Sequence, residues 1–194
     1  MREEASSVEV LPLTRERWPD FAALCRQMGS NRSCYCMWWR ERRATAGTAE
    51  RARSLVESSE RSPGLIAYAE GRPIGWVAVA PRDEYPRLQA GRDTAPVDDR
   101  PHVWVVSCFF IVPDARGRGM AKLLLESAVE FAFAHGAKAV DGIPLDPAMG
   151  RLSSSANYTG SVGMFAAAGF KEVARRSPKG RVVMRREGTE ELSS

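Results

Sequence analysis

The chain has 194 residues, of which 44% are hydrophobic and 27% charged, the composition of an ordinary soluble globular domain rather than of a disordered chain. About 70% of the unfolded surface can be buried at this length without covalent staples, and no apolar run is long enough to cross a bilayer. The net charge of +4 and pI near 9.1 favour anionic ligands, but the 28 basic and 24 acidic residues are interspersed, so nucleic-acid binding would rest on the pI alone and is not expected.

Residues 1–194 read as a single domain with an ordered core over about 8–185. The N-terminal MREEASSVEV lacks the apolar core of a signal peptide, which gives the expectation of a cytoplasmic protein with no membrane partner. Residues 8–13 alternate as a short strand, and Thr14 is placed to cap a helix over 15–28 whose apolar face is Trp18, Phe21, Ala22, Leu24 and Cys25. Residues 29–43 hold Tyr35, Trp38 and Trp39 within five positions. Aromatics this dense either plug a core or line a pocket. A second helix is expected over 48–59, capped by Thr48 and stopped by Pro63 and Gly64.

Residues 65–68 and 74–79 read as a hairpin turned at Gly71, and 81–101, with four prolines, as a long loop. Residues 103–112 form an apolar, β-branched and aromatic run, broken at Pro113 and followed by Arg116, Gly117, Arg118 and Gly119. Helical spacing then resumes through Ala121, Leu124, Leu125, Ala128 and Ala132 until Gly136. Residues 139–143 give a further strand, so that strand, helix and strand imply a parallel, right-handed crossover. A serine-rich loop over 144–157, a short helix over 161–168 closed by Gly169-Phe170, two closing strands from about Lys171 and Arg181, and a polar tail over 187–194 complete the chain.

Strand, basic glycine loop and helix together form an anion site, because free N–H groups at a helix start and two flanking arginines all attract phosphate. A Walker A loop fails, since Lys122 is followed by Leu123, and a dinucleotide fingerprint fails because position 122 is not a glycine or alanine. Arg116-x-x-Gly119-x-Ala121, preceded by Ile111-x-Pro113, resembles the Arg/Gln-x-x-Gly-x-Gly/Ala signature of the GNAT acetyltransferase superfamily. The helix ending in Gly169-Phe170 is similar to its second hallmark.

That resemblance implies an α/β GNAT fold, a mixed central sheet of six or seven strands flanked by about four helices. It also implies acetyl-CoA as co-substrate, transfer to a primary amine by direct attack in a ternary complex, and no metal. Residues expected at the cofactor are Phe109, Phe110, Ile111, Val112, Arg116, Gly117, Arg118, Gly119, Met120, Ala121, Asn157 and Phe165. Tyr35, Trp38 and Trp39 would form an apolar or cation-receiving wall for a small-molecule amine; a homodimer is allowed. Many relatives place a tyrosine where this chain has Phe165, so Tyr158 becomes the candidate general acid. The central strand lacks a glutamate, which leaves Asp141 as the preferred water-mediated base ahead of His102, Asp83 and Glu84.

Two other readings stay open: a protein or peptide acceptor, and a non-catalytic acyl-CoA-binding or sensor module. Cys34-x-Cys36 is half a thiolate site, but His102 and His135 offer too little to complete one. Cys25, Cys34, Cys36 and Cys108 are therefore expected as free thiols.

Overall fold

The computed structural model describes residues 7–43, 46–146, 158–178 and 180–188. Its sheet grows outward from two long neighbours, β3 (Arg72–Pro81) and β4 (Val103–Ile111), whose apolar runs are buried on both faces. On one side follow β2 (Gly64–Ala69) and β1 (Val8–Pro12). On the other follow β5 (Ala139–Gly142), β7 (Val182–Glu187) and β6 (Lys171–Arg175), in the order β1-β2-β3-β4-β5-β7-β6. Among the seven described strands only β4 and β5 pair in parallel, as a strand–helix–strand crossover requires.

Residues adjacent in β3 point to opposite faces and so recruit different helices. Trp76 meets Phe21 of α1 (Trp18–Arg26), ring centroids 4.4 Å apart. Gly75 faces α4 (Met120–Ala134), and a Cβ there would come within 3.0 Å of Leu124 Cδ1. The missing side chain is what lets α4 lie close. α2 (Thr48–Ser58) shares the α1 face through Ala52, which lies near Leu13, Phe21 and Trp76, and α5 (Val162–Ala167) covers β5 with Phe165.

Three expectations change. The first helix begins at Trp18, not near Arg15. Pro19 has no N–H to give to Arg15 O and is tolerated only in a first turn. Thr48 is the first helical residue rather than the cap, a position held by Gly47 at φ 74°. The proline-rich stretch is not all loop, because Pro86 starts α3 (Pro86–Ala90) with φ already fixed for a helix. The hairpin turn is as expected, with Glu70 and Gly71 both at positive φ, the two-residue turn that matches strand twist. Residues 147–157 and 189–194 of the expected loop and tail lie outside the described residues.

Candidate active site

After β4, Pro113–Ala115 make a tight 3-10 turn, and the chain then passes through Gly117 and Gly119, both at φ 75°. Left-handed backbone costs an L-residue about 1–2 kcal/mol, and a Cβ at either glycine would meet nothing within 4 Å. Conformation, not crowding, therefore selects glycine here. The first bond of α4 runs from Leu123 N–H to Gly119 O at 3.1 Å, so the amides of Met120, Ala121 and Lys122 have no helical acceptor. Arg118 is exposed beside them. Arg116 is held by its own Nε donating to Ile111 O at 2.9 Å. Three open amides and two guanidinium groups at one helix start make an anion cradle.

β4 pairs with β5 only from Val103↔Ala139 to Val106↔Gly142. Beyond that the strands part, and the register of β4 on β3 slips between Ala78 and Val79, a bulge that falls at Ser107. Phe109 N–H, on the open side, donates to Tyr158 O at 2.6 Å. Phe109, expected at the cofactor, thus has its backbone donor already used within the chain. Val112 is similarly committed, its N–H bonded to Ile74 O at 3.0 Å, and both Val112 and Met120 are buried core side chains. Phe109 and Phe110, unlike Val112 and Met120, lie on the wall of a cleft.

That cleft has a volume of about 710 Å³ and joins the glycine loop to the segment between α1 and α2. Arg116, Pro113 and Phe110 are at its cradle end, Trp38, Trp39 and Arg87 form another wall, and Tyr158 reaches it from the far side of the parted strands. The segment over 29–43 enters by way of Tyr35 and Cys36, both at positive φ, 45° and 56°. This reversal turns Tyr35 away from the cleft to stack on Trp18, 5.9 Å between rings, and to meet Phe21 edge-on. Trp38 and Trp39 line the cleft, and Tyr35 does not.

The two tryptophans are already occupied by arginines. Arg87 lies 3.9 Å from the Trp38 ring centroid, and Arg181 lies 5.2 Å from that of Trp39 and 5.5 Å from that of Tyr158. Arg181 Nη2 donates to Tyr158 Oη at 3.4 Å. Burial pushes the Tyr158 phenol up and Arg181 opposes it, while burial lowers Arg181 itself. A phenol in that state is protonated at neutral pH and can give its proton to a leaving group.

Asp141 is corrected as a base. It points to the Val105 side of the sheet, is 3% exposed, and both of its oxygens are held by Arg185. It does not line the cleft, so its carboxylate, held on Arg185, does not face an amine bound there. Phe165 is corrected as a cofactor contact: its fully buried ring fills the space over Gly142, packed edge-on against Phe109 and Phe170. Asn157 lies outside the described residues. Glu41, Arg87, Cys34 and Cys108 line the cleft without having been singled out as site residues. Glu41 is the carboxylate among the lining residues, and Arg51 pairs with it at 2.6 Å. Cys36 Sγ and Cys108 Sγ touch at 3.3 Å, all four thiols are free, and no group of three metal-binding side chains gathers among the described residues.

The sequence profile of the acetyltransferase (GNAT) family matches residues 26–149, which include β4, the glycine loop and α4. No curated protein matches the chain. Among solved structures, a GCN5-related N-acetyltransferase from Kribbella flavida is similar over 93% of this chain and 98% of its own, at 19% identity and a TM-score of 0.57. A ribosomal-protein-alanine N-acetyltransferase from Brucella melitensis covers 93% and 99%, at 17% identity and 0.59. An aminoglycoside acetyltransferase solved with coenzyme A covers 93% and 95%, at 20% identity and 0.56. At such identities the likeness carries the fold and not the acceptor.

Proposed function

Because this chain belongs to the acetyltransferase (GNAT) family, we propose that it moves the acetyl group of acetyl-CoA onto a primary amine of a small molecule within a ternary complex. The observation that carries this is the single cleft running from Arg116 at the glycine loop, past Phe110, to Tyr158 and the tryptophan wall. An extended thioester has its diphosphate at one end of such a path and its acetyl group near the other.

In this reading the amides of Met120 and Ala121 and the side chains of Arg116 and Arg118 bind the diphosphate, while Gly117 and Gly119 bring the backbone close to it. Ile111 presents backbone on the open edge of β4 to the pantetheine arm. The amine nitrogen attacks the thioester carbon, and the carbonyl π pair moves to oxygen. Collapse breaks the carbon–sulfur bond, and Tyr158 supplies the proton that the departing thiolate takes up. The amine's surplus proton leaves to water in the cleft, since Glu41 is tied to Arg51 and Asp141 to Arg185. The aromatic wall of Trp38, Trp39 and Tyr158 at the acceptor end favours a small molecule over a protein chain.

Titration calorimetry with CoA tests the core of this. Wild type binds and Arg116→Ala binds about ten- to a hundred-fold more weakly, the worth of one charge-assisted hydrogen bond. No heat of CoA binding to the wild type would end the reading.

A further inference from the structure

The acceptor end of the cleft is furnished with cations and hydrogen-bond donors. Arg87 Nη2 is buried with no acceptor, and so is Nε1 of Trp39, a residue 8% exposed. The two are joined through the backbone, Arg87 N–H donating to Trp39 O at 3.2 Å, and both residues line the cleft. Arg181, which does not itself line the cleft but lies 5.2 Å from the Trp39 ring centroid, donates to Ile143 O at 3.0 Å and to Thr159 Oγ1. Among the described residues it has no carboxylate in salt-bridge contact, Asp93 acting on it only at longer range. The lining carboxylate, Glu41, is neutralised by Arg51.

Each buried donor without a partner costs about 1–3 kcal/mol, a cost that a bound anion would remove. A polycationic acceptor would find the opposite. Arg87 and Arg181 already lie over the Trp38 and Trp39 rings that would receive a cation, and no unpaired carboxylate stands among the lining residues.

Resting on the acetyltransferase reading, we propose that the acceptor carries a carboxylate beside its amine, as an amino acid does. The carboxylate docks on Arg87 and Trp39 Nε1 and leaves the amine facing the end of β4. Arg87 is then a specificity residue, its planar fork suited to a planar anion.

Matched pairs test this: tyrosine with tyramine, tryptophan with tryptamine, ornithine with putrescine, and phosphoethanolamine with ethanolamine. They are mixed in equal amounts with the full chain and isotope-labelled acetyl-CoA, and products are read by mass spectrometry. The expected result is at least about tenfold more label in an amino acid than in its decarboxylated partner, a margin of about 1.4 kcal/mol. Arg87→Ala should bring that ratio toward one, and Arg87→Lys should keep part of it, with CoA affinity by calorimetry unchanged in both. Label favouring the decarboxylated amines, label only in phosphoethanolamine, no labelled amino acid at all, or a ratio indifferent to Arg87→Ala would each overturn the proposal. If CoA still binds in those cases, the acetyltransferase reading survives; if CoA does not bind, that reading fails first.

Discussion

Asp141 and Arg185 meet across β5 and β7 in a two-point pair, Nε to Oδ1 at 2.6 Å and Nη2 to Oδ2 at 3.0 Å. The residues are directly opposed in the antiparallel register and both are buried. Removing one partner from a buried pair costs about 3–5 kcal/mol because the other charge is stranded. Arg185 keeps Asp98, which favours the lower end. Asp141→Asn should therefore melt roughly 10 °C below wild type, taking about 2–4 °C per kcal/mol for a domain of this size. Its rate per folded molecule should stay near wild type. A melting temperature that holds while the rate collapses would return Asp141 to the chemistry.

The same arginine sets an acid limit. Arg185, helped by Arg82, holds the Asp98 carboxyl below its ordinary value. A depressed carboxylate contributes stability that is whole above its unfolded value and is lost as pH falls through the folded one. Burial pushes Asp141 up instead, so Asp141 adds nothing to this loss. Urea midpoints should fall as pH drops below about 4, and less steeply in Asp98→Asn. Parallel curves for the two proteins would show that Asp98 carries none of the acid sensitivity.

Gly119 and Gly71 form a matched pair of substitutions. Their φ values are 75° and 74°, and a Cβ at either would meet nothing within 4 Å. Alanine at each should cost about 1 kcal/mol of stability through left-handed backbone alone. Only Gly119→Ala should also weaken CoA, about tenfold or more, because Gly119 leads into the open amides of α4, whereas Gly71 turns the β2–β3 hairpin and supplies no group to the cradle. Equal CoA affinities would mean that the glycine loop is a turn and not a cradle.

What the sequence made readable followed from local rules. Alternation and turn residues gave β2, β3 and the hairpin between them, and the apolar run through Val103–Ile111 with its glycines gave β4, the loop and α4. The site was only half legible, since its remaining residues are set by distant partners. Asp141 and Arg185 are 44 residues apart in the chain, so no local pattern shows that the carboxylate is taken. Tyr35 left the aromatic wall because two successive left-handed residues, Tyr35 and Cys36, reverse a segment that spacing treats as uniform. Arg87 sits on a five-residue helix inside a stretch whose prolines suggest a loop. Pro86 at the helix start was the available signal.

Thiol labelling can map the cleft. Burial pushes the Cys25 and Cys34 thiols up, and contact with Cys36 followed by burial does the same to Cys108, yet Cys34 is partly exposed while the other three are buried. A maleimide at pH 8 should label the native protein chiefly at Cys34, more slowly than a free thiol, with all four reacting in denaturant. Because Cys34 lines the cleft, saturating CoA should slow that reaction several-fold. Labelling at Cys108 ahead of Cys34, or no protection by CoA, would contradict the arrangement.

Tyr158→Phe isolates the hydroxyl. The ring's packing beside Arg181 and the bond from Phe109 N–H to the backbone oxygen of Tyr158 do not need that oxygen, so the variant should fold with a melting temperature within about 2 °C of wild type. Loss of a general acid lowers the rate by about 10²–10⁴, and kcat should fall within that range while the affinity for CoA stays put. The pH profile adds a second readout. A phenol donates only while protonated, and burial lifts Tyr158 above its ordinary value, so the alkaline fall in wild-type kcat should lie above about pH 10. Arg181 pulls the other way. Arg181→Met should therefore move that fall to still higher pH, and Tyr158→Phe should abolish it. A Tyr158→Phe enzyme with wild-type kcat and the same alkaline limb would leave the thiolate to be protonated by water.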